Sequence, residues 1–155
     1  MPMNIVLYQT DMAQNFGTVV RTAVTLGVKI HVVEPLGFIW DEPKMRRAGM
    51  DYLKRADIKR HKSWHKFLES EEKNIGRLVA ITTKGSEPID GFKPCEKDYY
   101  IFGQESAGLP ENIHRIADKR IIIPMVKGER SMNLAVSCGI IMYDTLNKLK
   151  ALPKG

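Results

Sequence analysis

The feature that most constrains this chain is the succession of signals at its start. Asn4 to Tyr8 is a short apolar run fit for a buried strand, Phe16 to Leu26 carries Val19, Val20, Ala23 and Val24 at helical spacing, and Lys29 to Val33 is β-branched again. Asn15 reads as the helix N-cap and Gly27 as its C′ residue, while Pro35 and Gly37 close the second strand. That is a β-α-β unit. Asp41 with Pro43 announces a short helix through Arg46-Arg47, and Ser63 starts another through Trp64, Phe67 and Leu68. Strands are expected at Leu78 to Thr82, Tyr99 to Phe102 and Arg120 to Ile123, followed by a last helix from Asn133 to about Lys150. Strands alternating with helices predict an α/β fold, a mainly parallel sheet with helices on both faces. No repeat, low-complexity tract or linker interrupts residues 1–155, which therefore read as a single domain. Such sheets bind ligands beyond the carboxyl ends of their strands, so the loops after Tyr8, Thr82, Phe102 and Ile123 are where chemistry is expected.

Two features look outward. The last helix is apolar nearly all round in its first half (Leu134, Ala135, Val136, Ile140, Ile141, Met142), which suggests burial on more than one side, as in a subunit interface. The net charge of +6 is concentrated: residues 44 to 66 hold nine Lys or Arg against Asp51 and Asp57. A basic segment on an otherwise near-neutral chain is the footprint of a polyanion binder, or else a solvated lysine-rich surface. No apolar stretch approaches a membrane span, and Met1-Pro2-Met3-Asn4 lacks the charged leader and cleavage site of an exported chain, so a cytoplasmic location is expected. Cys95 and Cys138 have no paired spacing and read as plain buried or semi-buried thiols.

Several chemistries are disfavoured. Gly103 to Gly108 has the glycine spacing of a phosphate loop, but Leu109-Pro110 stands where Lys-Ser/Thr is required, and no G-x-G-x-x-G turn follows the first strand. His61 and His65 are four apart without a third ligand and read as part of the basic surface, so no metal is expected. No hydrolytic triad or carboxylate pair stands out. What remains is a constellation in three places: Asn15-Phe16-Gly17-x3-Arg21; Ile101-Phe102-Gly103-x-Glu105-x2-Gly108-Leu109-Pro110; and Ile123-Pro124-Met125 followed by Ser131-Met132-Asn133-Leu134. Taken singly, these are a capped helix, a glycine turn and a helix start.

Together they resemble the SPOUT superfamily of methyltransferases. Within it the chain is similar to the minimal single-domain branch, the tRNA (cytidine/uridine-34-2′-O)-methyltransferases. The resemblance extends through Val33-Glu34-Pro35-Leu36-Gly37-Phe38, Trp40-Asp41, Arg46-Arg47-Ala48-Gly49-x-Asp51-Tyr52 and Thr82-Thr83-Lys84-Gly85. It implies a C-terminal trefoil knot, S-adenosylmethionine bound bent within it, and a homodimer in which each active site is completed by the partner subunit. The general rule against threaded loops would argue the other way.

By the same resemblance, the cofactor lies among the loops at Ile81, Gly103 and Ile123, with Ser131 and Leu134 closing over it and Glu105 meeting a polar part of the cofactor or fixing its own loop. Arg21 is the catalytic residue and Asn15 orients the turn that aims it. A guanidinium stays protonated, so clamping a phosphate and stabilising the developing alkoxide suits Arg21 better than general-base chemistry. Lys44, Arg46 and Arg47 are the expected RNA phosphate contacts, or pair with acids across a dimer; Tyr143 is either an RNA contact or an interface aromatic. The chain departs from the branch's pattern at Asp11-Met12-Ala13-Gln14, where a proline-rich turn is common, and at Ala135-Val136. The rival readings are an RNA-binding or assembly factor without turnover, 2′-O-methylation at another tRNA or rRNA site, and base methylation.

Overall fold

The computed structural model describes residues 2–155 apart from 49, 75, 85 and 86, so Met1, Gly49 and Gly85 of the segments above lie outside the described residues. The elements are β1 (Asn4–Tyr8), α1 (Ala13–Leu26), β2 (Lys29–Val33), α2 (Glu42–Arg47), a 3-10 turn (Asp51–Arg55), β3 (Ile58–His61), α3 (Trp64–Glu71), β4 (Leu78–Ile81), β5 (Glu87–Pro88), β6 (Tyr99–Phe102), α4 (Glu111–Ile116), β7 (Lys119–Ile122) and α5 (Leu134–Lys148). The sheet runs β3-β2-β1-β6-β4-β7-β5 and every described pairing is parallel.

Because side chains alternate across a strand, β1 feeds two cores. Ile5 and Leu7 point to one face and pack with Phe16, Val19 and Val20 of α1 and Cys138, Ile141 and Met142 of α5. Val6 points to the other, with Ile101 of β6, Phe67 of α3 and Ile113 of α4. Helices thus cover both faces. No helix among the described residues is long and apolar enough to cross a membrane.

The helix ends follow the local chemistry with one exception. Asp41 accepts a hydrogen bond from the Lys44 N–H (3.2 Å), Ser63 from the Lys66 N–H (3.1 Å) and Asn133 from the Val136 N–H (3.1 Å). Gly27 closes α1 at φ 71°, the left-handed region glycine enters without strain. The exception is Asn15. Helix α1 begins at Ala13, Met12 occupies the cap position without a side-chain bond, and Asn15 is a buried helical residue. Its amide has partners across the fold that a cap would forfeit.

Among the described strands and α-helices, three are not evident in the sequence. β3 reads Ile-Lys-Arg-His, charged because it is an edge strand with one side unpaired. β5 has two residues and α4 six, both too short to show a period. β7 begins one residue earlier than expected and β4 ends one earlier. Cys138 is fully buried, which raises its thiol pKa, whereas Cys95 is exposed rather than sheltered. Helix α5 buries Leu134, Ala135, Cys138, Ile141, Met142 and Leu146, leaving Val136 (53% exposed), Ile140 (37%) and Tyr143 (56%) as an outward stripe at i, i+4 and i+7.

Candidate active site

The carboxyl ends of β4, β6 and β7 surround a cavity of about 430 Å³. Ile81, Thr82 and Thr83 line it from the loop after β4, Gly103, Gln104 and Glu105 from that after β6, and Ile123 and Met125 from that after β7. Arg130 to Leu134 close it on the side of α5. The six residues expected to hold a cofactor, Ile81, Gly103, Glu105, Ile123, Ser131 and Leu134, therefore share one cavity, and Asn15 joins them. Gly103 is required there by space: a Cβ would overlap the backbone of Gly108 and Leu109, and Gly108 itself sits at φ 69°.

One hydrogen-bonded chain joins the three motifs. The Glu105 carboxylate accepts from Asn15 Nδ2 (3.2 Å) and from the Asp11 N–H (3.4 Å), and Asn133 Nδ2 donates to Asn15 Oδ1 (3.3 Å). Ser106 Oγ donates to Asp11 Oδ2 at 2.6 Å, which holds the Asp11 carboxyl below its ordinary pKa. Burial and the neighbouring Asp11 push the Glu105 carboxyl up, and the Asn15 bond only partly opposes them. Of the two roles open to Glu105, the geometry fills the one of fixing loops. Asn15 is correspondingly a brace between the second and third motifs.

The sequence gives no signal for His114. Buried in α4, it places Nε2 2.8 Å from Thr82 Oγ1 and Nδ1 3.2 Å from the Pro110 carbonyl. Since a carbonyl only accepts, Nδ1 carries a proton, and the contact of Nε2 with the Thr82 hydroxyl steadies a residue of the cavity wall.

Arg21 does not open into this cavity. Six residues after the inward-facing Asn15, it is carried about 240° around the helix to the exposed side of α1. There it lines a separate groove of about 980 Å³ with Gln14, Thr18, Phe38, Lys44 and Tyr52. Tyr52 anchors the groove floor by donating to the Gly17 carbonyl at 2.7 Å; burial raises its pKa, with the Arg21 charge opposing. Arg46 and Arg47 are exposed on α2, and Tyr143 is exposed on α5.

His61 is not a surface residue. It ends β3 buried, with Nε2 3.0 Å from His31 Nδ1, while His31 Nε2 lies 3.2 Å from Asn4 Oδ1 and 3.7 Å from Glu71 Oε1. His31, His61 and Glu71 bring one potential ligand atom each within 4.8 Å of one another, yet Glu71 already receives the Lys59 ammonium at 2.7 Å and the Tyr99 hydroxyl at 2.9 Å. Both rings find partners as neutral imidazoles. Burial lowers the His31 pKa to about 3 and lowers that of His61 as well. His65, by contrast, is exposed and pairs with Glu69 at 2.7 Å.

Residues 2–143 match the model of the SpoU rRNA Methylase family. A curated relative from Ancylobacter novellus, a tRNA (cytidine(34)-2′-O)-methyltransferase, is 43% identical over 148 residues, covering 96% of this chain and 94% of its own. A solved structure concerned with the 2-OH methylation of C/U34 on tRNA superposes with a TM-score of 0.87 at 39% identity, covering 96% of both chains. An AdoMet-bound rRNA methyltransferase from Sinorhizobium meliloti gives a TM-score of 0.85 at 25% identity over 96% of this chain and 57% of that one.

Proposed function

This chain belongs to the SpoU rRNA methylase family, and from that membership we propose that it methylates the ribose 2′-hydroxyl of the wobble nucleotide, cytidine or uridine 34, in tRNA. The observation that carries the reading is the convergence of three separated motifs on one cavity, joined through Asn15, Glu105 and Asn133.

The cavity suits S-adenosylmethionine. Glycine at 103 lets backbone approach a flat ring, the apolar Ile81, Ile123 and Leu134 shelter an aliphatic arm, and Glu105 with the Thr82 hydroxyl adds polarity at its wall. When bound, this cofactor supplies an electrophilic methyl group. The chain's own part is to hold the loops rigid, exclude water and present a cation to the oxygen as its negative charge develops. Arg21 is that cation, and it clamps the adjoining phosphate.

Because Arg21 faces away from the cavity of its own chain, we infer a homodimer in which it serves the partner's. The exposed stripe of Val136, Ile140 and Tyr143 on α5, with Met12 exposed at the cavity rim, supports such an interface. Lys44, Arg46 and Arg47 face outward as phosphate contacts, and Tyr143 stands at the edge where interface and RNA would meet. The reading extends to a single domain over residues 1–155, a C-terminal trefoil knot through the cofactor loops, and a cytoplasmic enzyme.

The test is incubation of the purified protein with labelled S-adenosylmethionine and unmodified tRNA, followed by nucleoside mass spectrometry. The expected product is a 2′-O-methylated pyrimidine at position 34. Label on a base, at another position, or nowhere would overturn the reading. Arg21→Ala is expected to retain cofactor binding and lose at least about 100-fold in turnover.

A further inference from the structure

Behind α2, on the far side from the Arg21 groove, a second and smaller pocket is lined by Trp40, Glu42, Arg46, Lys54, Ile58 and Arg60, with a volume of about 270 Å³. We infer that it binds a backbone phosphodiester of the RNA substrate away from the methylated nucleotide, an inference that rests on the tRNA reading above.

Charge comes first. Three cations face one acid, and neither Arg46 nor Lys54 forms an ion pair among the described residues. Arg46 and Lys54, without ion pairs among the described residues, repel one another and Arg60, whose charge Glu34 offsets in part, and an anion relieves that repulsion.

Preorganisation comes second. The Arg60 guanidinium carbon lies 4.3 Å over the Trp40 ring, and its Nη2 donates to Glu34 Oε1 at 3.1 Å. Both anchors fix the fork before any ligand arrives, which spares much of the ordering cost an arginine otherwise meets on binding. Its Nε and Nη1 donate to no protein acceptor among the described residues, which leaves N–H donors on both sides of the fork for phosphate oxygens.

Arg60 lies 4.3 Å over the Trp40 ring and so occupies the face of the indole that a nucleobase would need for stacking beside the guanidinium. The pocket therefore reads the backbone rather than sequence. Beyond it, Lys59, Arg60, Lys62 and Lys66 line an adjoining groove, which continues the positive surface as a polymer requires and a lone small anion does not. Edge-strand protection accounts for charge on β3 but not for Lys54 and Arg46 closing around Arg60 from two other elements.

The test uses the full-length protein and unmodified tRNA, with binding measured across a salt series. Lys54→Gln and Arg60→Gln are each expected to weaken tRNA binding by roughly 3- to 10-fold near 0.1 M salt and to lower the slope of log K against log salt by about one. Cofactor affinity by calorimetry should be unchanged. Trp40→Leu should reproduce Arg60→Gln, whereas Trp40→Phe, which keeps a ring under the guanidinium, should not. If the wild type methylates tRNA while all the variants keep its affinity and salt slope, the pocket is not a phosphate site. If the wild type neither binds nor methylates tRNA, the functional reading falls and the inference with it. Lys54 is exposed and forms no ion pair or side-chain hydrogen bond among the described residues, so its variant tests the pocket without threatening the fold.

Discussion

Two glutamates withdrawn from solvent illustrate how differently this molecule treats its two ends. Glu71, beneath the β2–β3 edge, receives the Lys59 ammonium, the Tyr99 hydroxyl and the Ser70 hydroxyl, with His31 beside it. Burial alone would raise its pKa, but these partners prevail and hold the carboxylate ionised. Glu105, at the cavity, is given only N–H groups of neutral amides, no cation lies within ion-pair distance of it among the described residues, and its pKa is raised. The same side chain is thus tied to a cation in one place and held by neutral amides in the other. A loop that must admit a cofactor gains from a joint that can open; a sheet edge does not.

The sharpest way to break that contrast is Glu71→Ala, which removes the buried carboxylate that receives the Lys59 ammonium and the Tyr99 hydroxyl. The expected cost is about 3 kcal/mol, or roughly 6–12 °C in Tm by calorimetry, with cofactor affinity unaltered wherever the protein is folded. Acid should weaken the same corner next. In the unfolded chain His31 titrates near 6.5, whereas in the folded chain its pKa is lowered to about 3. Its contribution is therefore complete above pH 6.5 and lost as the pH falls toward 3, at about 1.4 kcal/mol per pH unit. Unfolding free energies from denaturant curves at pH 7 and pH 5 should differ by about 2 kcal/mol, and His31→Gln should flatten the dependence. The smallest effect on stability belongs to Glu105→Gln, less than about 1 kcal/mol, because an amide oxygen still accepts from Asn15. Its effect should appear instead as a several-fold rise in KM for the cofactor. Equal loss of stability in the Glu71 and Glu105 variants would erase the distinction.

The sequence shows these regions unequally. Period and punctuation reveal β1, α1, β2, the final helix and the loops at the strand ends, because each depends on local burial and capping. The cavity residues are legible only as motifs that resemble a known family; nothing local in Ile81 or Ser131 marks a binding wall. The reading of Asn15 as a cap follows the propensity of the residue and misses its role, which depends on Glu105 and Asn133 far along the chain. His61 fails for the same reason: its spacing from His65 and its basic neighbours suggest a surface residue, whereas it ends β3 buried and β2 supplies its partner. His114 and the Trp40–Arg60 stack carry no sequence signal, since each is defined by contact across elements.

The hydrogen bond from Asn133 to Asn15 spans 118 positions, and the inner edge of β1 is paired by β6, Asn4 lying beside Tyr99. A ribosome adding roughly 5–20 residues per second therefore exposes β1 and α1 for several seconds to tens of seconds before their partners exist. The binding site is consequently among the last things to form. An incomplete nascent chain has no cavity with which to capture cofactor, and the open edge of β1 is the surface most in need of shelter until β6 arrives.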